Sequence, residues 1–207
     1  MTKYPFDNVI EACKWRIKFR DIFHLKFFYD DMHRWINDHG WQDYDEPGTD
    51  HYENLFFEKI GLKGDKELWA RWRVWKYPHG EKNPYFKYHW NLDFHYLYLQ
   101  PTEVMRDGKK VKNWIYKGEV ELWNWAGVEY DAGGSFSKHP ILKYFHTVFP
   151  KRIFKKPLFE EHKRELYREV YQFQNFMKQW FKLKRYLPYE ETPLFRKGWA
   201  WTSHMKE

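Results

Sequence analysis

The segment YFKYHWNLDFHYLYL, residues 85–99, constrains the fold more than any other part of the chain. Phe86, Tyr88, Trp90, Leu92, Phe94, Tyr96 and Tyr98 fall on alternate positions, and Lys87, His89, Asn91, Asp93 and His95 fall between them. A period of two places the rings on one side of a pleated strand; wound as a helix, the same residues would scatter around every face. The segment is therefore expected to be a strand of an antiparallel sheet buried on one side only. A face of such large rings needs a second layer to cover it.

Other segments share this pattern. In CKWRIKFR, Trp15, Ile17 and Phe19 alternate with Lys14, Arg16, Lys18 and Arg20. In KGEVELWNWAGVEY, Val120, Leu122, Ala126 and Val128 oppose Glu119, Glu121 and Glu129. HYENLFFEKI, the turn-like GLKGD and KELWARWRVWKYP read as a long hairpin, although Tyr52, Leu55 and Phe56 also fit a short helix. Asp107-Gly108 is placed for a tight hairpin turn.

Helical spacing occurs in three places. Leu25, Phe28, Met32, Trp35 and Ile36 define a first helix between His24 and His39, stopped by Gly40. PILKYFHTVF, limited by Pro150, predicts a short helix. A long helix is expected from Pro157 until Pro188 ends it, with an apolar stripe of Leu166, Val170, Phe173, Met177, Trp180, Leu183 and Leu187.

The resulting expectation is an α+β fold. An antiparallel meander of about five or six strands is packed on one face by a long C-terminal helix and shorter helices. That order is similar to the helix-grip architecture of lipid- and hormone-binding folds; the similarity is of architecture alone and transfers no function. Residues 1–188 are read as one domain and residues 189–207 as an aromatic arm carrying Phe195, Trp199 and Trp201.

Composition supports a folded chain: aromatic residues make up 23% of it, which disordered sequences lack. The single cysteine, Cys13, excludes an intrachain disulfide and a zinc site built on several cysteines. With no apolar leader and no long apolar run, the expected setting is the cytoplasm or an assembled particle. The net charge of +7 is uneven: residues 138–188 hold 13 Lys and Arg against 4 Glu, a net of +9, which leaves −2 for the rest. Such asymmetry bears on partners rather than on fold.

Three sets of residues are candidates for function. His89, Asp93 and His95 share the polar face of the central strand, where two imidazoles and a carboxylate suit a metal ion; a solvated face of cross-strand pairs explains the same residues. Lys151, Arg152, Lys155 and Lys156, with Lys178, Lys182, Lys184 and Arg185, form basic clusters suited to nucleic acid or an acidic surface. Glu160, Glu161, Glu165 and Glu169 neutralise part of that charge along the helix. Trp69, Trp75, Trp123 and Trp125 on the sheet, with Phe195, Trp199 and Trp201 in the arm, mix rings with both charge signs, as a self-complementary contact does.

No nucleophile elbow, phosphate-binding loop or zinc-protease spacing is present. The expected function is that of a non-enzymatic structural subunit without a cofactor. It assembles with copies of itself into a shell, tube or filament, a virion component for example. The alternatives are a nucleic-acid-binding protein that uses the basic helices and a binder of small hydrophobic ligands beneath the long helix.

Overall fold

A computed structural model describes residues 8–44, 51–62, 64–78, 85–106, 108–134, 136, 138–139, 142, 157–183 and 199–201. The chain is α+β, with a mostly antiparallel sheet and two described helices. In order these are β1 (Val9–His24), α1 (Leu25–Asp38), β2 (Gln42–Asp43), β3 (Glu53–Ile60), β4 (Lys66–Lys76), β5 (Phe86–Pro101), β6 (Val104–Arg106), β7 (Lys109–Val111), β8 (Ile115–Tyr130), α2 (Pro157–Trp180) and β9 (Ala200–Trp201). The short helix expected over PILKYFHTVF lies outside the described residues, Leu142 excepted.

Seven strands form the main sheet in the order β2-β4-β5-β8-β1-β9, with β3 also paired to β4. This is not a simple meander. β1 returns to pair with β8 along nearly its whole length, Val9 opposite Glu129 and His24 opposite Ile115. α1 then carries the chain from β1 back to the opposite edge. It starts where the His24 side chain accepts a hydrogen bond from the Phe27 N–H at 3.2 Å, and stops where Gly40 takes a φ of +72°.

The apolar residues of the strands meet the two helices. Phe173 of α2 has its ring centroid 5.0 Å from both Trp90 and Trp35, and Phe181 stacks on Phe19 at 4.2 Å. Phe86, Tyr88, Trp90, Leu92, Phe94 and Tyr96 are all buried, as the alternation of β5 requires. Asn124 also lies among these apolar residues, where it accepts a hydrogen bond from the Trp90 indole. Cys13 is buried nearby, and burial pushes its thiol up to about 12, so it stays protonated.

Two local departures from the sequence pattern follow from backbone geometry. Tyr98, expected on the buried face, has a φ of +53° within an irregularity between Leu97 and Gln100; it turns outward and Leu99 takes the interior place. Gly118 accommodates that kink, because a Cβ there would lie 2.9 Å from the Leu97 carbonyl oxygen. α2 ends at Trp180, before Pro188 is reached. Lys182 takes a φ of +55°, the Leu183 N–H bonds the Lys178 carbonyl at 2.7 Å, and the Lys182 N–H bonds the Gln179 carbonyl at 3.0 Å. This is a Schellman stop with lysine where glycine is usual.

Candidate functional site

On the sheet face opposite the helices, strand alternation presents Trp69, Arg71, Arg73 and Trp75 from β4, and Lys87, His89, Asp93 and His95 from β5. β8 adds Glu119, Glu121, Trp123, Trp125 and Glu129, and β1 adds Arg16 and Lys18. The rings form a row across four strands, which Arg16 of β1 extends to a fifth. Phe57 of β3 lies 5.2 Å from Trp69, Trp69 stacks on His95 at 4.8 Å, His95 on Trp123 at 6.1 Å, and the Arg16 guanidinium sits 4.9 Å from the Trp123 ring. Such a ladder results when cross-strand neighbours are both planar.

The carboxylates beneath this row are largely covered by cations. Glu121, with 6% of its side chain exposed, bonds Arg16 at 2.5 Å and Lys18 at 3.1 Å, and Lys18 also bonds Glu119 at 2.5 Å. Burial alone would raise the Glu121 pKa; the bonds from Arg16 and Lys18 outweigh it and hold the carboxyl below its ordinary value. Much of the positive charge on this face is therefore neutralised locally.

His89, Asp93 and His95 share this face, yet they do not converge on a common point. His89 bonds Glu129 at 2.6 Å and Tyr44, His95 bonds Glu67 at 2.9 Å, and Asp93 bonds Arg73 at 2.5 Å. Cross-strand partners have drawn each side chain away from the others, and among the described residues no three His, Cys, Asp or Glu side chains form a metal-binding group. His89 is almost wholly buried, and burial depresses its pKa despite the neighbouring Glu129. Trp75 is covered as well: its indole donates to the Asp43 carbonyl at 2.7 Å and the Lys87 ammonium lies 4.0 Å from its ring. Trp69, Trp123 and Trp125 remain half-exposed.

The described part of the arm lies on its own chain. Ala200 and Trp201 pair with Phe23 and Ile22 of β1, and the Trp199 carbonyl accepts the His24 N–H at 2.9 Å. The Trp199 ring lies 4.8 Å from Phe27 with the Arg106 guanidinium 3.3 Å over it. Phe195 lies outside the described residues, as do Lys151, Arg152, Lys155, Lys156, Lys184 and Arg185. Of the remaining basic candidates, Lys178 donates to Gln174 at 2.9 Å and has its pKa lowered by burial, and Lys182 forms the turn at the end of α2.

Among the described residues, β3 carries a cluster of exposed apolar side chains. All eight of its residues are exposed, including Leu55, Phe56, Phe57 and Ile60, and among the described residues it pairs with β4 alone. The Gly61 N–H bonds the Asp65 carbonyl at 2.8 Å, which sets the phase of the ladder: Lys59 and Phe57 turn their backbone groups to β4, and Phe56, Glu58 and Ile60 turn theirs outward. The sequence held a signal for this strand, since Leu55, Phe56 and Phe57 are consecutive and load both faces. Leu55 and Phe56, together with Tyr52, also suited a short helix, and that ambiguity hid the edge.

No protein-family model, no curated protein and no solved structure matches this chain.

Proposed function

We propose that this protein is a non-enzymatic assembly subunit whose copies join edge to edge through β3. The carrying observation is that β3 combines a backbone edge unpaired among the described residues with four exposed large apolar side chains, Leu55, Phe56, Phe57 and Ile60. Uncovered, such a strand is a template for pairing, and proteins that remain single blunt their edges with lysine, proline or a covering element. β3 has one lysine, Lys59, and no proline.

Antiparallel pairing of two copies about a twofold axis at Phe56 joins the outward backbone groups of both strands. It sets Leu55 of one copy opposite Phe57 of the other and keeps Glu58 away from its own counterpart. The ring row that ends at Phe57 then continues from one sheet into the next. A symmetric edge pair closes as a dimer; a shell, tube or filament needs a second contact, and the half-exposed rings Trp69, Trp123 and Trp125 are the candidates for it. In each copy a helix-grip-like layering, with the long helix laid along the opposite face, leaves this side of the sheet open.

The nucleic-acid reading gains less from the sheet face, because Arg16 and Lys18 already carry Glu121 and Glu119. Sedimentation of the full chain at low and high salt separates the two. Assembly predicts a dimer or larger species that persists at high salt, since apolar contact is not screened. Phe57→Lys, which places charge on the free edge, is expected to give a monomer with unchanged circular dichroism. A native chain that stays monomeric at tens of micromolar and shifts only with oligonucleotide would transfer the assignment to nucleic-acid binding.

A further inference from the structure

Between α1, the inner side of β3 and the far end of β5 lies a cavity of about 510 Å³, open on one side. Its walls are mainly apolar, with Leu25 from α1, Phe56 from β3, Leu68 from β4 and the exposed ring of Trp114 at the start of β8. The volume falls within the range that small-molecule sites occupy, and the rings offer flat surfaces for stacking.

Tyr96 of β5 also lines this cavity. Its hydroxyl is fully buried and finds no hydrogen-bond partner among the described residues. Leaving such a group unpaired costs about 1–3 kcal/mol, so its retention here, where phenylalanine fills the same volume, calls for a reason. Burial raises its pKa well above the ordinary phenol value, with Tyr29 and Glu53 adding to the effect, so Tyr96 remains a neutral hydroxyl able to donate. Close by, Tyr29 donates its hydroxyl to Glu53 and accepts the Trp72 indole N–H at 3.2 Å.

The charge around the mouth limits the occupant. Glu53, Asp30 and Glu58 outnumber Lys26 and Lys66, and Lys66 is already bound to Glu58 at 2.7 Å. An anion entering here would lose water and meet more carboxylates than cations, one of those cations, Lys66, being already paired. We infer that this cavity binds a small, uncharged ring molecule bearing one hydroxyl or carbonyl oxygen, which takes up the hydroxyl of Tyr96 while its ring lies between Phe56, Leu68 and Trp114. Phe56, at the proposed twofold axis, also lines this cavity, whereas Phe57 lies on the other face of β3, so Phe57→Lys separates the copies without touching the cavity wall and the two readings are tested apart.

Calorimetric titration of the full chain with naphthol, naphthoate and naphthalene tests it. These probes share a ring system and differ in a neutral hydroxyl, an anionic group and no polar group. Naphthol is expected to saturate one site per chain and to bind about fivefold more tightly than naphthalene, the worth of one net hydrogen bond. Naphthoate is expected to be the weakest. Tyr96→Phe should remove the preference for naphthol over naphthalene while leaving naphthalene affinity intact and raising the stability of the free protein, because the lost hydroxyl was buried with no partner among the described residues. Trp114→Ala, at an exposed ring, should weaken both neutral probes, and Phe57→Lys should change neither. Absence of saturable naphthol binding, naphthoate binding as tightly as naphthol, or an unchanged naphthol preference in Tyr96→Phe would each overturn the inference.

Discussion

β5 and β3 are both rich in large apolar side chains, and they end in opposite environments. β5 lies inside the sheet with strands on both sides; its rings alternate with polar residues, so all of them up to Tyr96 fall on one buried side. β3 pairs with one neighbour among the described residues, and its consecutive Leu55, Phe56 and Phe57 point to both faces and are exposed. Burial is thus decided by pattern and position in the sheet, with side-chain type coming second. The surplus apolar surface sits at an edge, where a second copy can cover it with main-chain hydrogen bonds as well as side chains.

Substitutions of equivalent chemistry in the two strands test this contrast. Trp90→Ala removes a fully buried indole packed on Trp35, Trp41 and Phe173, and is expected to cost about 3–5 kcal/mol in urea denaturation. A cost below about 1 kcal/mol would place the core elsewhere.

A pH effect comes next, and it concerns His89 on the polar face of β5 and His24 at the end of β1. His89 and His24 both have pKa values lowered mainly by burial, so each is held neutral in the folded chain. The unfolded chain then binds more protons as pH falls through about 6.5, and stability present above that value is lost progressively below it. The slope is at most about 1.4 kcal/mol per pH unit for each histidine. Chemical denaturation from pH 8 down to pH 5 should show the loss, and His89→Gln should make it shallower.

Lys182→Gly is expected to stabilise the protein by about 0.5–1 kcal/mol, because glycine adopts the positive φ at the end of α2 without a Cβ penalty. Thermal unfolding measures it, and a loss of stability would mean that the lysine side chain holds that turn. The smallest effect is expected on β3. Phe57→Ala in dilute, dissociated protein should change unfolding by no more than about 0.5 kcal/mol, against the several for Trp90→Ala, and its consequence should appear instead in the association constant. A large intrinsic cost would show that β3 is packed within its own chain and would weaken the assembly proposal.

Much of the fold was legible because periodicity reports directly on burial. The rings of β5, the Glu-bearing face of β8 and the spacing from Leu25 to Ile36 each identified an element and its buried side. The candidate site was less legible. His89, Asp93 and His95 do share a face as the alternation implied, but their partners Glu129, Arg73 and Glu67 come from neighbouring strands, and no local pattern announces them. Tyr98 and Lys182 were misread for a related reason: each adopts a positive φ that its residue type does not advertise.

By itself, the sequence determined β1, β5, β8 and α1 and the apolar side of each, because those properties depend on neighbours two to four residues away. Only the tertiary structure decided that β1 returns to β8, that β3 is left at an edge, and that Tyr96, Tyr29 and Glu53 meet at one cavity. Those outcomes depend on contacts between residues far apart in the chain, whose free energies are set by competition among whole strand arrangements rather than by any local preference.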